Sequence, residues 1–96
     1  MDKQKHEFIE EMQTRLDQLD AKTDELEARA RGAAIEVRRE AEREMKAIKQ
    51  SKAAAERKLE VLGEATDDAW YELKQGAELA WRSLATSVEN AAKRFQ

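Results

Sequence analysis

Residues 59–95 read LEVLGEATDDAWYELKQGAELAWRSLATSVENAAKRF. Within this stretch Leu62, Leu73, Leu84 and Phe95 recur at eleven-residue spacing, and so do Leu59, Trp70, Trp81 and Ala92. Eleven residues make three turns of helix at about 3.67 residues per turn, so each set stacks on one helical face. Ala69-Trp70-Tyr71-Glu72-Leu73 aligns with Ala80-Trp81-Arg82-Ser83-Leu84, and then with Ala91-Ala92-Lys93-Arg94-Phe95. The stripe Leu73, Ala77, Ala80, Leu84, Val88, Ala91, Phe95 advances by four, three and four residues. Trp70 and Trp81 widen it beyond a narrow coiled-coil seam. Gly76, Ala77 and Ala80 form a small-residue patch where another helix can approach closely.

Upstream, the apolar spacing is a heptad. Met12, Leu16, Leu19, Thr23, Leu26, Ala30, Ala33 and Val37 alternate steps of four and three, with Phe8 and Ile9 extending the face at its start. This predicts a heptad coiled coil over about 9–37. Acid-to-base pairs at i,i+4 (Glu11–Arg15, Glu25–Arg29, Glu27–Arg31) support helix by about 0.2–0.5 kcal/mol each. After Val37 the register slips through Ala41, Met45 and Ile48, which reads as a stutter. Beyond it the seam weakens through Lys52 and Ala55 before Leu59 and Leu62. Gly32 lies inside the strong part, at a helix cost of about 1 kcal/mol relative to alanine.

The one boundary the sequence suggests is 63–68. Gly63 suits the residue just past a helix end, and Thr66 suits an N-cap with Asp67 and Asp68 in the first turn behind it. Yet the eleven-residue register runs unbroken from Leu62 to Leu73 and from Leu59 to Trp70, which favours a continuous or kinked helix over a hairpin turn. The chain divides accordingly into a charged heptad helix at 1–62, a kink or turn at 63–68, and a hendecad helix at 69–96.

Composition fits this all-α expectation. Charged residues are 41% of the chain and aromatics 5%, with no proline and three glycines. Such a chain reads as long helix or coiled coil rather than a packed globule. A lone amphipathic helix cannot bury its own stripe, so it needs a partner, a fold-back or a lipid surface. The expected partner is a second copy of the chain, through Met12, Leu16, Leu19, Leu26, Val37, Met45, Ile48, Leu59, Leu62, Leu73, Leu84, Val88 and Phe95. Trp70, Trp81 and Phe95 are the candidates for contact with lipid or another protein.

Catalytic chemistry finds no foothold. There is no cysteine and no glycine-rich phosphate loop, and His6 is the sole histidine. His6 with Glu10, and the neighbours Glu10–Glu11 and Asp67–Asp68, read as solvated charge on helix surfaces. No metal ligand set, cofactor or small-molecule substrate is expected, and the chain reads as non-enzymatic. The bases Arg38, Arg39, Arg43, Lys46, Lys49, Lys52, Arg57 and Lys58 are interleaved with glutamates, and the net charge is −3. That mixture argues against nucleic acid, which needs an uncompensated positive field. Without cysteine, a leader-like start or a spanning segment, the sequence points to the cytoplasm, at most peripheral to a membrane.

Residues Gly63 through Leu84, with their paired tryptophans, resemble the C-terminal part of small bacterial coiled-coil proteins regarded as stress-induced or hypothetical. The charged helical front half is similar too. The resemblance implies a cytoplasmic helical protein and brings no functional residues with it. The eleven-residue repeat also resembles exchangeable apolipoproteins and late-embryogenesis-abundant proteins. It lacks the proline punctuation of the first and has larger apolar residues than the second. The expected role is a structural, self-associating coiled coil, tied to stress by the resemblance. The alternative is an amphipathic protein that lies on a lipid surface through its tryptophan helix.

Overall fold

Two short turns decide the architecture. A computed structural model describes residues 2–95 and places them in three helices: α1 Asp2–Arg31, α2 Ile35–Gly63 and α3 Asp67–Arg94. The all-α expectation holds. The chain does not run as one long helix, however, which would be on the order of 140 Å long at 1.5 Å per residue. It folds back twice into an up-down-up bundle measuring 51 × 17 × 16 Å. No helix is long and apolar enough to cross a membrane.

The second turn falls inside the suspected boundary. α2 ends at Gly63, and the Glu64 and Ala65 amides close the last turn onto Val61 O (3.1 Å) and Leu62 O (3.2 Å). Thr66 takes the extended N-cap conformation (φ −72°, ψ 163°), with Asp67 and Asp68 in the first turn of α3, although its hydroxyl makes no capping bond. The kept register therefore does not mean a continuous helix. It means that α2 and α3 each turn their stripe toward the same core.

The first turn was not foreseen. The Gly32 and Ala33 amides bond to Arg29 O (3.2 Å) and Ala30 O (3.1 Å), Ala34 is extended, and α2 starts at Ile35. No described residue has positive φ, so the turn needs no special glycine conformation and leaves no glycine signature. The slip after Val37 now has another cause. Ala41, Met45 and Ile48 set the phase of a new helix, and there is no stutter in a continuous one. Val37, expected in a seam, is 41% exposed beside the turn.

Burial drives the double reversal. Met12, Leu16 and Leu26 from α1, Met45, Ile48, Leu59 and Leu62 from α2, and Trp70, Leu84 and Val88 from α3 all close into one core. Burying each large side chain contributes roughly 1.5–3 kcal/mol, which an isolated helix forgoes. Among the described residues Thr23 is the single buried polar residue, and its hydroxyl donates to Leu19 O one turn back (2.8 Å). Lys49–Glu27 (3.2 Å) and Lys52–Asp20 (3.4 Å) clasp α2 to α1, and Arg94 clasps α3 to Glu40 (3.0 Å) and Glu44 of α2. Glu27 thus reaches across to α2 instead of pairing with Arg31, while the Glu11–Arg15 and Glu25–Arg29 pairs form as expected.

Candidate interaction surfaces

The residues expected at an oligomer interface are mostly consumed inside one chain. Met12, Leu16, Leu26, Met45, Ile48, Leu59, Leu62, Leu84, Val88 and Phe95 are buried against the other two helices, and Leu19 and Leu73 are half-buried beside them. Val37 alone of the set is exposed. What remains for a partner lies on two seams of different character.

The seam between α1 and α3 is the aromatic one. These two helices approach each other least closely of the three pairs, and large rings fill the gap. Phe8 meets Trp70 edge to face, with centroids 5.8 Å apart, and Trp70 is buried. Three cations cover the rings: Lys5 over Trp70 at 5.6 Å, Arg15 over Trp81 at 5.0 Å and Lys74 over Phe8 at 5.1 Å. Such stacking contributes about 0.5–1 kcal/mol at exposed sites and more when desolvated. Trp81 is half-buried, and its indole Nε1 has no hydrogen-bond partner although that atom is shielded from solvent. The tryptophans therefore point into the fold, and neither is displayed as a free anchor.

Lys5 does a second job at the end of this seam. Its Nζ donates to Asp67 Oδ1 (2.7 Å) and to Ala65 O (3.2 Å), tying the start of α1 to the α2–α3 turn. The hydrogen bond from Lys5, reinforced by its charge, holds the Asp67 carboxyl below the usual carboxylate range.

The seam between α2 and α3 is the opposite. Its outer face mixes small residues, Ala47, Ser51 and Ala54 on α2 and Gly76 and Ser87 on α3, with the charged Glu44, Arg57, Lys58, Glu72 and Arg94. Two shallow grooves follow one another along it, of about 280 Å³ and 390 Å³. Leu73 floors the second groove. Val61 lines it, 53% exposed, and Leu79 on α3 is 63% exposed. Their helical phase puts both on this same face. A Cβ added to Gly76 would meet nothing within 4 Å. The small-residue patch read from the sequence is split: Ala77 turns into the core, Ala80 is half-buried, and Gly76 opens onto the groove.

Other sequence candidates fall where a solvated reading puts them. His6 and Glu10 pair at 3.0 Å on the exposed side of α1. Among the described residues no three acidic or histidine side chains are placed to hold a metal ion. Of the basic cluster on α2, Lys49 and Lys52 are engaged with acids of α1. Comparison with protein-family models, with curated proteins and with solved structures gives no match.

Proposed function

We propose that this chain works without catalysis, as a helical self-association module whose contact surface is the outer face of α2 and α3. The observation that carries the reading is the pair Val61 and Leu79, more than half exposed on the face that holds a groove of Ala54, Leu73 and Gly76 rimmed by Arg57, Lys58 and Glu72. Large apolar groups next to shallow apolar space favour docking of a further helical surface, because both sides then lose water-exposed area. The partner meets a folded bundle rather than a strand of an extended coiled coil. The cytoplasm and a stress-related setting belong to this proposal through the sequence resemblance.

Sedimentation equilibrium across a wide concentration range, with small-angle scattering on the same samples, tests it. The expected result is a mass above one chain, built of protomers about as long as the bundle. A monomer at every concentration would remove the proposal.

A second reading follows from the aromatic seam. If α1 swings away from α3, Phe8, Trp70 and Trp81 reach a lipid surface together with Lys5, Arg15 and Lys74, a pairing suited to anionic headgroups. Vesicles of mixed neutral and anionic lipid should then shift tryptophan emission to shorter wavelength without loss of helix. Trp81→Ala should abolish that binding. Unchanged emission at saturating lipid would dismiss this reading.

A further inference from the structure

The link between α1 and α2 carries the pattern of a helix that the closed bundle does not use. The four-three spacing from Met12 to Val37 runs through Ala30 and Ala33 without a break. Ala30 and Ala41 are both buried, on either side of the turn, and they lie eleven residues apart. Eleven residues are three helical turns, so a straightened link puts the core stripes of α1 and α2 on one face. Val37, 41% exposed in the closed fold, falls on that stripe between Ala33 and Ala41. Little resists straightening beyond the helix cost of Gly32. Gly32-Ala33-Ala34 has no proline and no positive φ, and Ala34 caps α2 without a side-chain bond. Once the link is helical, the last carbonyls of α1 and the first amides of α2 become each other's partners.

We infer that the α1–α2 hairpin opens at this link and that two copies of the chain exchange α1, each filling the cleft the other's α1 has left. This route to self-association is separate from docking on the α2–α3 face. A second copy is selected by fit, because the vacated cleft between α2 and α3 is the one α1 already matches. Met12, Leu16 and Leu26 return to the same core, and Lys5–Asp67, Lys49–Glu27 and Lys52–Asp20 form again between chains. Charge does not choose the partner, since Arg31, Glu36, Arg38, Arg39, Glu40 and Glu42 mix both signs about the link. The midpoints of the Asp20–Lys52 and Glu27–Lys49 pairs bracket Val37, so two straightened helices cross there and Val37 meets its own copy. Each chain then holds one helix from Asp2 to Gly63, about 90 Å long at 1.5 Å per residue. The dimer is two bundles end to end, twice the 51 Å length of one. Exchange requires α1 to leave its core, so an undisturbed dilute chain keeps the closed bundle.

Spin-labelled Gln4→Cys chains and spin-labelled Glu64→Cys chains, unfolded together and refolded at high concentration, test the exchange by double electron–electron resonance. Exchange brings the two sites together between chains, as close as Lys5 and Ala65 hold them within one. Scattering from the same sample should show a dimer twice as long as the bundle. Gly32→Ala should lower the concentration for half exchange at least tenfold, because each dimer loses two helical glycines. In the closed turn the added Cβ meets only Arg29 O, at 3.7 Å. Ile35→Pro should abolish the interchain distance and keep the monomer's helix content. Ile35 is the first residue of α2 and 53% exposed, and Ala34 before it is extended (φ −58°, ψ 153°). Proline suits that place in the closed turn and breaks a helix running through it. No short interchain distance without these two substitutions, or one that survives Ile35→Pro, overturns the exchange. A dimer no longer than the bundle and lacking that distance also overturns it, and leaves docking on the α2–α3 face standing. A wild-type chain that stays monomeric overturns both.

Discussion

The two flanks of α3 solve one packing problem in opposite ways. Toward α1 the gap is wide and is filled with Phe8, Trp70 and Trp81, capped by Lys5, Lys74 and Arg15. Toward α2 the outward positions include Ala47, Ser51, Ala54, Gly76 and Ser87 among the charged Glu44, Arg57, Lys58, Glu72 and Arg94, and the space above them stays open. The first flank is closed by its own side chains. The second is left open. Large rings therefore mark where this fold closes on itself, and small residues mark where its surface stays open.

The contrast breaks most visibly at Trp70. Truncating a buried aromatic costs about 3–5 kcal/mol. For a chain of this size each kcal/mol shifts the melting temperature by about 4–8 °C. Trp70→Ala should therefore lower the melting temperature by roughly 15 °C or more in thermal circular dichroism. A shift of a few degrees would mean that the aromatic flank is not what closes the bundle. On the other flank the sign reverses. Gly76→Ala adds a methyl where nothing lies within 4 Å and removes glycine's helix cost of about 1 kcal/mol. The melting temperature should rise by several degrees. A fall would show that the groove is already occupied or narrower than described.

The smallest expected effect lies at the tie between α1 and the second turn. Asp67 is shifted below its ordinary range by Lys5. Its contribution is therefore complete above the unfolded carboxylate pKa of about 4 and disappears as the pH falls through the lower folded value. Amide exchange at the start of α1 should quicken over that acidic window in the wild type. Asp67→Asn should show the faster exchange already at neutral pH and no such window. Identical profiles would deny the tie any role.

Much of this was legible in the residues. The eleven-residue repeat picked out Leu62, Leu84 and Phe95, all buried in one core though from two helices and not from one helical face, and Thr66-Asp67-Asp68 carried the marks of a helix start. The second turn was visible as an option, but the kept register argued for continuity. A bundle also keeps register, since α2 and α3 both answer to one core. The first turn left almost no trace. Arg31-Gly32-Ala33-Ala34 contains no proline and adopts no positive φ, and alanines suit helix as well as they suit this extended link. Only the phase slip after Val37 recorded it. The open flank was half visible, because Gly76 was marked as a place for close approach while Ala47, Ser51 and Ala54 on α2 drew no reading as a surface. Which small residues face outward depends on where α1 lies, and that follows from a turn the local sequence does not announce.

The distance from residue 4 to residue 64 tests the closed bundle most directly. Spin labels on Gln4→Cys and Glu64→Cys, diluted with unlabelled chain and measured by double electron–electron resonance, report it within one protomer. Because Lys5 bonds to Ala65 and Asp67, the bundle predicts a narrow distribution near about 20 Å, label arms of several rotatable bonds included. A continuous helix would set the same sites about 90 Å apart at 1.5 Å per residue. The loss of any short distance would contradict the three-helix bundle and both surfaces built upon it.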